Sequence, residues 1–260
     1  PSSEVDSGAS EFFGSHAPLG YDAAGNPMIV YSRNAFALVV GATLDIRTKR
    51  LLAESPFLPG SDQWFWESGT VASIVPPGGA NLSGPKGLDL AMSVSGDPAV
   101  IYEDDRGSFS NLTFARPRSA PWVLEEPDEM EDFAQTSAPA IAIGTNSDLH
   151  LVLCGRLGGL VPSYRPKLLT YSGSSQTLTD LPLPNALFAS QAVAFTPDGR
   201  LHIISLRVDN TAATSGDLLY TSGKPGGVFS VGAMVASDVP IGDVILKSDQ
   251  SGTLTAAFLD

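Results

Sequence analysis

The sequence predicts an all-β fold made of repeated hairpins. Glycine and proline together account for 46 (26 + 20) of the 260 residues, charged residues make up 17%, and five segments share one pattern of strand, tight turn and strand. This composition is typical of many short strands joined by turns, and it disfavours long helices. The chain is also long enough to bury a large core without metals or disulfides.

The five hairpin segments set the period of the repeat. They are Leu19–Arg33, Leu90–Asp104, Ile141–Gly155, Ala194–Arg207 and Val244–Asp260. Their turns share a register at Gly25, Gly96, Ser147, Gly199 and Gly252, with separations of 71, 51, 52 and 53 residues. A period of about fifty residues predicts one four-stranded sheet in each repeat.

Two further strands are expected after each hairpin. Third strands are predicted at Phe36–Ala42, Asn111–Arg116, Lys167–Ser172 and Asp217–Ser222, and fourth strands at WVLEE from Trp122 and GVFSVG from Gly227. Four-stranded sheets repeated around a ring form a β-propeller, in which ring closure leaves only short sheet edges exposed. The pattern therefore predicts a single propeller domain over residues 1–260, most simply with five sheets.

The expected sheets cover residues 17–84, 85–136, 137–188, 189–241 and 242–260. The last of them stops after its second strand, so we expect residues 1–16, including the strand-like segment Ser10–Ser15, to complete it and close the ring. A larger ring, or pairing with a second chain, is the alternative.

Charge and segment composition limit the location and the partners. A net charge of −13 disfavours nucleic acid and anionic membranes as partners. No apolar run is long enough to span a membrane, and Cys154 lies in an apolar run where a small buried residue is expected. The polar, serine-rich start resembles what an export signal leaves behind, although a trimmed N-terminus would look the same. We therefore expect a secreted, periplasmic or cell-surface protein.

Charged residues recur where the second strand of each hairpin ends, and we expect them at one rim of the ring. This set of ligand-binding candidates is Arg33, Glu103, Asp104, Asp105, Arg106, Arg156, Arg207 and Asp260. Guanidinium groups beside carboxylates offer planar donors and nearby acceptors for carboxylates or sugar hydroxyls. The alternative is that these charges pair with one another and satisfy loop backbones.

Two tryptophans add a second candidate for glycan contact. Trp64 and Trp66 lie in Gly60–Gly84, where the first repeat is about twenty residues longer than the others, and long loops are often functional. Their rings could stack on sugars, or they could cover an apolar edge from one face of a strand.

Metal and cofactor chemistry has weaker signals. Glu125–Asp132 holds six carboxylates but lacks the spacing of a defined calcium loop, so a solvated acidic turn is expected and calcium is the alternative. His150 and His202 share one repeat position, which should place them in separate layers between sheets rather than at one zinc ion. The sequence therefore predicts no cofactor.

The segments GLDLAMSVSGDPAVIYEDDRG, LTFARP and PWVLEEPD, which begin at Gly87, Leu112 and Pro121, resemble the repeat of bacterial secreted propellers with a sialidase-like layout. A sialidase would carry Ser-x-Asp-x-Gly-x-Thr-Trp boxes, three arginines and a tyrosine paired with an acid, and that set is not assignable in this chain. Five-bladed glycoside hydrolases use three inward carboxylates, whereas the first repeat offers Asp22 in a hairpin.

The resemblance implies propeller architecture more specifically than it implies an activity. The best interpretation is an extracellular binding module that recognises a glycan or a cell-surface partner. A diverged sialidase-like glycoside hydrolase and a non-catalytic protein scaffold are the alternatives, and the sequence leaves open whether the chain is an enzyme.

Overall fold

The computed structural model describes residues 12–13, 17–37, 41–52, 65–74, 87–104, 111–117, 122–125, 134–135, 139–157, 163–210 and 212–258. Within these ranges every assigned element is a β-strand, which confirms the all-β prediction. The chain divides into two compact units, Pro1–Pro127 and Asp128–Asp260. The single domain and the five sheet boundaries expected from the sequence remain predictions.

The first unit contains two antiparallel sheets. The first sheet holds β1 (Phe12–Phe13), β2 (Leu19–Tyr21), β3 (Pro27–Ala37), β4 (Gly41–Leu52) and β5 (Phe65–Ile74), in the order β1-β3-β4-β5 with β2 also paired to β3. The second holds β6 (Leu88–Met92), β7 (Pro98–Asp104), β8 (Asn111–Pro117) and β9 (Trp122–Glu125), in chain order. Val30 and Ile46 of the first sheet and Val100 of the second share one buried cluster, so the two sheets pack face to face.

The second unit contains three sheets. One holds β10 (Ala134–Gln135), β11 (Ala140–Ile143), β12 (Leu149–Leu157), β13 (Ser163–Ser172) and β14 (Ser175–Asp180). The next holds β15 (Leu187–Phe195), β16 (Leu201–Val208), β17 (Ser215–Gly223) and β18 (Ala233–Pro240). The described part of the last holds β19 (Val244–Ser248) and β20 (Leu254–Phe258).

The sheet β15–β18 has a core cluster on each of its faces. On one face Ile203 packs in a cluster with Val152 and Cys154 of β12, and on the other Ile204 packs with Val244 of β19. Successive residues of a strand point to opposite faces, so β16 supplies both layers from one apolar run. Cys154 is 1% exposed, as the sequence predicted.

All five hairpins use the same turn, which confirms the register predicted from their sequences. In each, the backbone N–H of the turn residue donates to the carbonyl three residues earlier, as in Gly25 to Asp22 and Gly199 to Thr196. Gly25, Gly96, Ser147, Gly199 and Gly252 have φ between 67° and 85°. This left-handed region is open to glycine, which explains its recurrence at the position.

The third strand of the first sheet lies elsewhere than predicted. Phe36–Ala42 contains the end of β3 and the start of β4, because Ala37 pairs with Gly41 and Phe36 with Ala42. The intervening Leu-Val-Val has none of the residues that usually indicate a turn, so its sequence predicts a strand. The segment Gly60–Gly84, predicted as a long loop, contributes β5. Part of the extra length of this repeat lies in its long strands, which have 11, 12 and 10 residues.

Two other strand predictions were wrong. The fourth strand of the sheet β15–β18 begins at Ala233 rather than at Gly227, and Phe229 is instead a buried loop residue in a core cluster. Phe12 and Phe13, expected in the last sheet, pair with Asn34 and Arg33 of β3 in the first sheet.

Candidate functional site

The structure describes the predicted site residues unevenly. Arg33, Glu103, Asp104, Arg156 and Trp66 are placed on strands by their backbones, on β3, β7, β7, β12 and β5 respectively. Asp105, Arg106, Asp260, Trp64 and residues 126–132 of the acidic segment lie outside the described residues. Arg207 is the predicted residue whose side-chain contacts can be described.

The predicted strand ends are only partly observed. Asp104 ends β7, and Arg156 and Arg207 are each the penultimate residue of their strands. Arg33, by contrast, lies four residues before the end of β3, opposite Asp45 of β4. Arg33 and Arg207 share a turn-based register, but β3 continues beyond the point where β16 stops. The common rim across all repeats remains a prediction.

Arg207 forms an ion pair within its own sheet. Its guanidinium donates to the Asp217 carboxylate, and the two residues are directly opposite on β16 and β17. Their side chains are 34% and 27% exposed, so both groups remain partly accessible. On the neighbouring strand β15, the residue that pairs with Arg207 is the buried Phe188. The pair supplies donors and acceptors side by side, and it also matches the alternative in which these charges satisfy each other.

A buried polar pair lies one row further toward the hairpin turn. Gln191 of β15 is directly opposite Ser205 of β16, and they are 5% and 0% exposed. Neither the two amide atoms of Gln191 nor the Ser205 hydroxyl has a hydrogen-bond partner within the protein. Alternation along β16 places Ser205 on the same face as Arg207 and Ile203. We call Gln191 and Ser205 the buried polar pair.

Sequence reasoning missed the buried polar pair, Gln191 and Ser205. The available signal was the occurrence of Gln191 and Ser205 within the apolar strands LFASQAVAF and LHIISLRV. The neighbouring Ser190 points to the opposite face, where its hydroxyl accepts the backbone N–H of Val244 at 3.1 Å. Sequence alone does not distinguish a serine that bridges two sheets from one without a partner.

A second polar network lies at the turn end of the same sheet. The Thr196 hydroxyl donates to the Asp198 carboxylate at 2.5 Å and contacts Nε2 of His202 at 2.9 Å, while Nδ1 of His202 is 2.7 Å from the Tyr220 hydroxyl. Because Asp198 only accepts, Nε2 of His202 carries the proton and Nδ1 accepts from Tyr220. Burial lowers the pKa of His202 against the opposing charge of Asp198.

His150 lies in a different layer from His202, as its repeat position predicted. Its Nδ1 is 3.0 Å from the Thr170 hydroxyl, and its ring makes an edge contact with Phe195 at 5.0 Å between centroids. Burial lowers the pKa of His150 to about 4, although Asp148 acts in the opposite direction. Within the described residues, no three His, Cys, Asp or Glu side chains converge on a metal position.

Carboxylates are sparse on the first strands of the sheets. In the described parts of β2, β6, β11, β15 and β19, Asp89 is the one acidic residue. Asp22 belongs to the turn after β2, where its Oδ1 accepts the backbone N–H groups of Ala24 and Asn26, each at 2.9 Å. Glycoside hydrolysis generally uses two carboxylates flanking the scissile bond. The described first strands do not offer such a pair.

Sequence comparisons find no relatives: no family model matches the chain, and no curated protein does. No helix in the described part of the chain has the length and apolar character needed to cross a membrane.

Solved structures, however, resemble it over most of its length. The polysaccharide lyase Uly1 matches with a TM-score of 0.56 at 12% identity, over 94% of this chain and 54% of the lyase. The Hadza microbial sialidase Hz136 matches with a TM-score of 0.51 at 10% identity, over 94% of this chain and 65% of the sialidase. The GH43_1 enzyme from Xanthomonas citri, solved with xylose, matches with a TM-score of 0.54 at 13% identity, over 94% of this chain and 86% of the enzyme.

The chain thus spans between half and two thirds of the length of the lyase and the sialidase. At these identities the likeness concerns the fold and not the activity. Two of these three neighbours are named for action on glycans, as a polysaccharide lyase and a sialidase, and the third was solved with a sugar. The chain has an all-β, propeller-like fold of the kind found in sialidases and GH43 enzymes.

Proposed function

We propose that this chain is a glycan-binding module that acts outside the cell or at its surface. The observation that carries the proposal is the Arg207–Asp217 pair, which offers guanidinium donors and carboxylate acceptors at the partly exposed end of β16 and β17. Sugars are recognised by such paired donors and acceptors, and aromatic faces stack on their rings. The propeller-like fold, shared with glycan-acting proteins, supports the same class of ligand.

Binding is favoured over catalysis because the described first strands carry one carboxylate, Asp89. Its Oδ1 accepts the backbone N–H of Leu90 at 2.8 Å, so the group already has a local structural role. A hydrolase of the usual kind needs a second acid at a defined separation from the first. The proposed module therefore holds its glycan without cleaving it.

The test is direct binding of the parent protein to a glycan panel that includes xylose and sialylated oligosaccharides, followed by calorimetry on any ligand found. We expect Arg207→Ala to weaken binding by roughly ten- to a hundredfold, the usual effect of losing a hydrogen bond to a charged group. Arg200→Ala is the matched control, because Arg200 lies just before β16 at the opposite end of the strand. Equal effects of the two substitutions, or no glycan bound by the parent, would contradict the proposal.

The two tryptophans predicted to contact glycans can be tested in the same binding experiment. Trp66 lies on β5, opposite Leu51 of β4, and we propose that Trp64 and Trp66 provide stacking contacts to sugar rings. Weaker binding after Trp64→Ala and Trp66→Ala is expected. Unchanged affinity in both variants would assign them to the alternative role of covering an apolar edge.

A diverged glycoside hydrolase is the second candidate, and the observation that favours it is that the sialidase and the GH43_1 enzyme share the fold. Incubation with the same glycan panel and chromatography of the products would detect hydrolysis. Product release that is lost in Asp89→Asn, with the variant still folded, would replace the binding proposal by this one.

A protein scaffold is the third candidate, because apolar side chains are exposed near the start of β18. Val228 and Val231 are 93% and 82% exposed, and Met234 is 62% exposed. Exposed apolar patches are frequent at protein interfaces. Val231→Ser combined with Met234→Ser should leave glycan binding unchanged if the module acts through Arg207, and loss of glycan binding in this variant would contradict that.

A further inference from the structure

We infer that Gln191 and Ser205 form a site for one neutral hydroxyl group, supplied by a bound sugar or by an internal water molecule. The inference deepens the proposed function and in its sugar form rests on it. Its starting point is the placement of three buried polar atoms, Oε1 and Nε2 of Gln191 and Oγ of Ser205, on directly opposite residues of β15 and β16.

The chemistry of these atoms selects the group that can bind. The amide oxygen of Gln191 needs a donor, its amide nitrogen needs an acceptor, and the Ser205 hydroxyl can take either role. A carboxylate cannot donate to the amide oxygen, and an ammonium cannot accept from the amide nitrogen. A hydroxyl group does both and brings no charge into a buried layer, where an unpaired charge is costly.

Two other sheets have larger side chains where this polar pair lies. At the same register, Leu88 pairs with Tyr102 in the second sheet and Val244 pairs with Phe258 in the last. Leu88 and Tyr102 are both buried. The second sheet thus buries two large side chains at this register, and packing alone gives no reason for an amide and a small hydroxyl in their place.

The pair lies near the partly exposed end of the sheet. Arg207 follows Ser205 by two residues on the same face of β16 and is held by Asp217. The buried pair is therefore one row below the ion pair that the proposed function assigns to ligand contact. A sugar hydroxyl reaching past Arg207, or a water molecule held under it, would meet the same three polar atoms.

The sign of a stability change tests the site. If a water hydroxyl satisfies the pair, Ser205→Ala removes a hydrogen bond, and the melting temperature should fall by roughly 2–4 °C. If nothing binds, the same change removes an unsatisfied buried hydroxyl, and the melting temperature should stay level or rise. Ser190→Ala is the matched control, since its hydroxyl is buried in the same sheet and does have a partner.

The sugar form is tested by calorimetry with xylose. A melting temperature that does not fall, combined with an approximately tenfold loss of xylose affinity in Ser205→Ala and in Gln191→Met, identifies the sugar as the source of the hydroxyl. A level or raised melting temperature with unaltered xylose affinity overturns the inference.

Failure of the proposed function remains distinguishable from failure of this site. If the parent protein binds neither xylose nor any other glycan of the panel, the sugar form is excluded and the melting temperature alone decides between bound water and no site. A crystal structure of the parent protein gives a second measurement. Density about 2.7–3.2 Å from both the Gln191 amide and the Ser205 hydroxyl supports the site, and a well-ordered layer without it rejects the water form.

Discussion

Acidification should destabilise the folded protein through His150. His150 is 2% exposed, its Nδ1 is 3.0 Å from the Thr170 hydroxyl, and its ring edge contacts Phe195. Burial lowers the pKa of His150 from 6.5 to about 4, because the charged imidazolium would lose its hydration in this layer. The unfolded chain has no such restriction and takes up the proton near pH 6.5.

The difference between the folded and unfolded pKa values of His150 sets how the stability of the protein changes with pH. Above pH 6.5 the ring is neutral in both states, and the stability is fully present. Between pH 6.5 and about 4 the unfolded state binds a proton that the folded state does not, so stability falls as the pH falls. A pKa difference of about 2.5 corresponds to about 3 kcal/mol, lost at up to about 1.4 kcal/mol per pH unit.

Urea unfolding of the parent protein and of His150→Gln between pH 7.5 and 4 measures the effect. We expect the variant to be less stable at neutral pH and to have a shallower decline with acid, because the glutamine does not titrate. His202→Gln is the comparison variant, since the pKa of His202 is also lowered. NMR titration of the folded parent reports the ring directly. A His150 resonance that titrates between pH 6 and 7, or equal declines in the parent protein and His150→Gln, would refute the reasoning.

Two further predictions concern backbone and inter-sheet contacts, each measured by urea unfolding. Gly216→Ala should destabilise by more than about 2 kcal/mol, because a Cβ would lie 2.1 Å from the carbonyl oxygen of Arg207. Gly226→Ala should cost only about 1–2 kcal/mol, since its φ of +75° disfavours alanine but the surrounding space is open; equal losses would contradict the steric argument. Ser190→Ala should cost about 1–3 kcal/mol by leaving the N–H of Val244 unpaired, and an unchanged midpoint would show that this bond contributes nothing.

The hairpins could be predicted from the sequence because their cause is local. A positive φ at Gly199 is required by the turn itself, and the apolar residues on either side alternate or run together as buried strands do. The same local rule found Ser147, which takes a φ of 67° without being glycine. Such signals do not depend on which sheet packs against which.

Strand ends and loop residues could not be predicted in the same way, because several structures share one apolar pattern. Phe36–Ala42 is apolar enough to be one strand, yet it belongs to two strands that pair with each other. GVFSVG is equally strand-like, but Phe229 is buried from a loop, where it packs beside Gly223. In both segments tertiary packing determines which residues form strands, and the sequence of a few neighbouring residues does not show that packing.

The candidate site shows the same division between local and tertiary causes. Arg207 was found because charge at a strand end is visible in the sequence, but its partner Asp217 is ten residues away and became evident only from the register of β16 and β17. Ser190 and Ser205 are both buried serines of one sheet, yet only Ser190 has a hydrogen-bond partner within the protein. A buried polar side chain is therefore a candidate binding position only where it has no hydrogen-bond partner within the protein. In the sheet β15–β18, Gln191 and Ser205 meet this criterion.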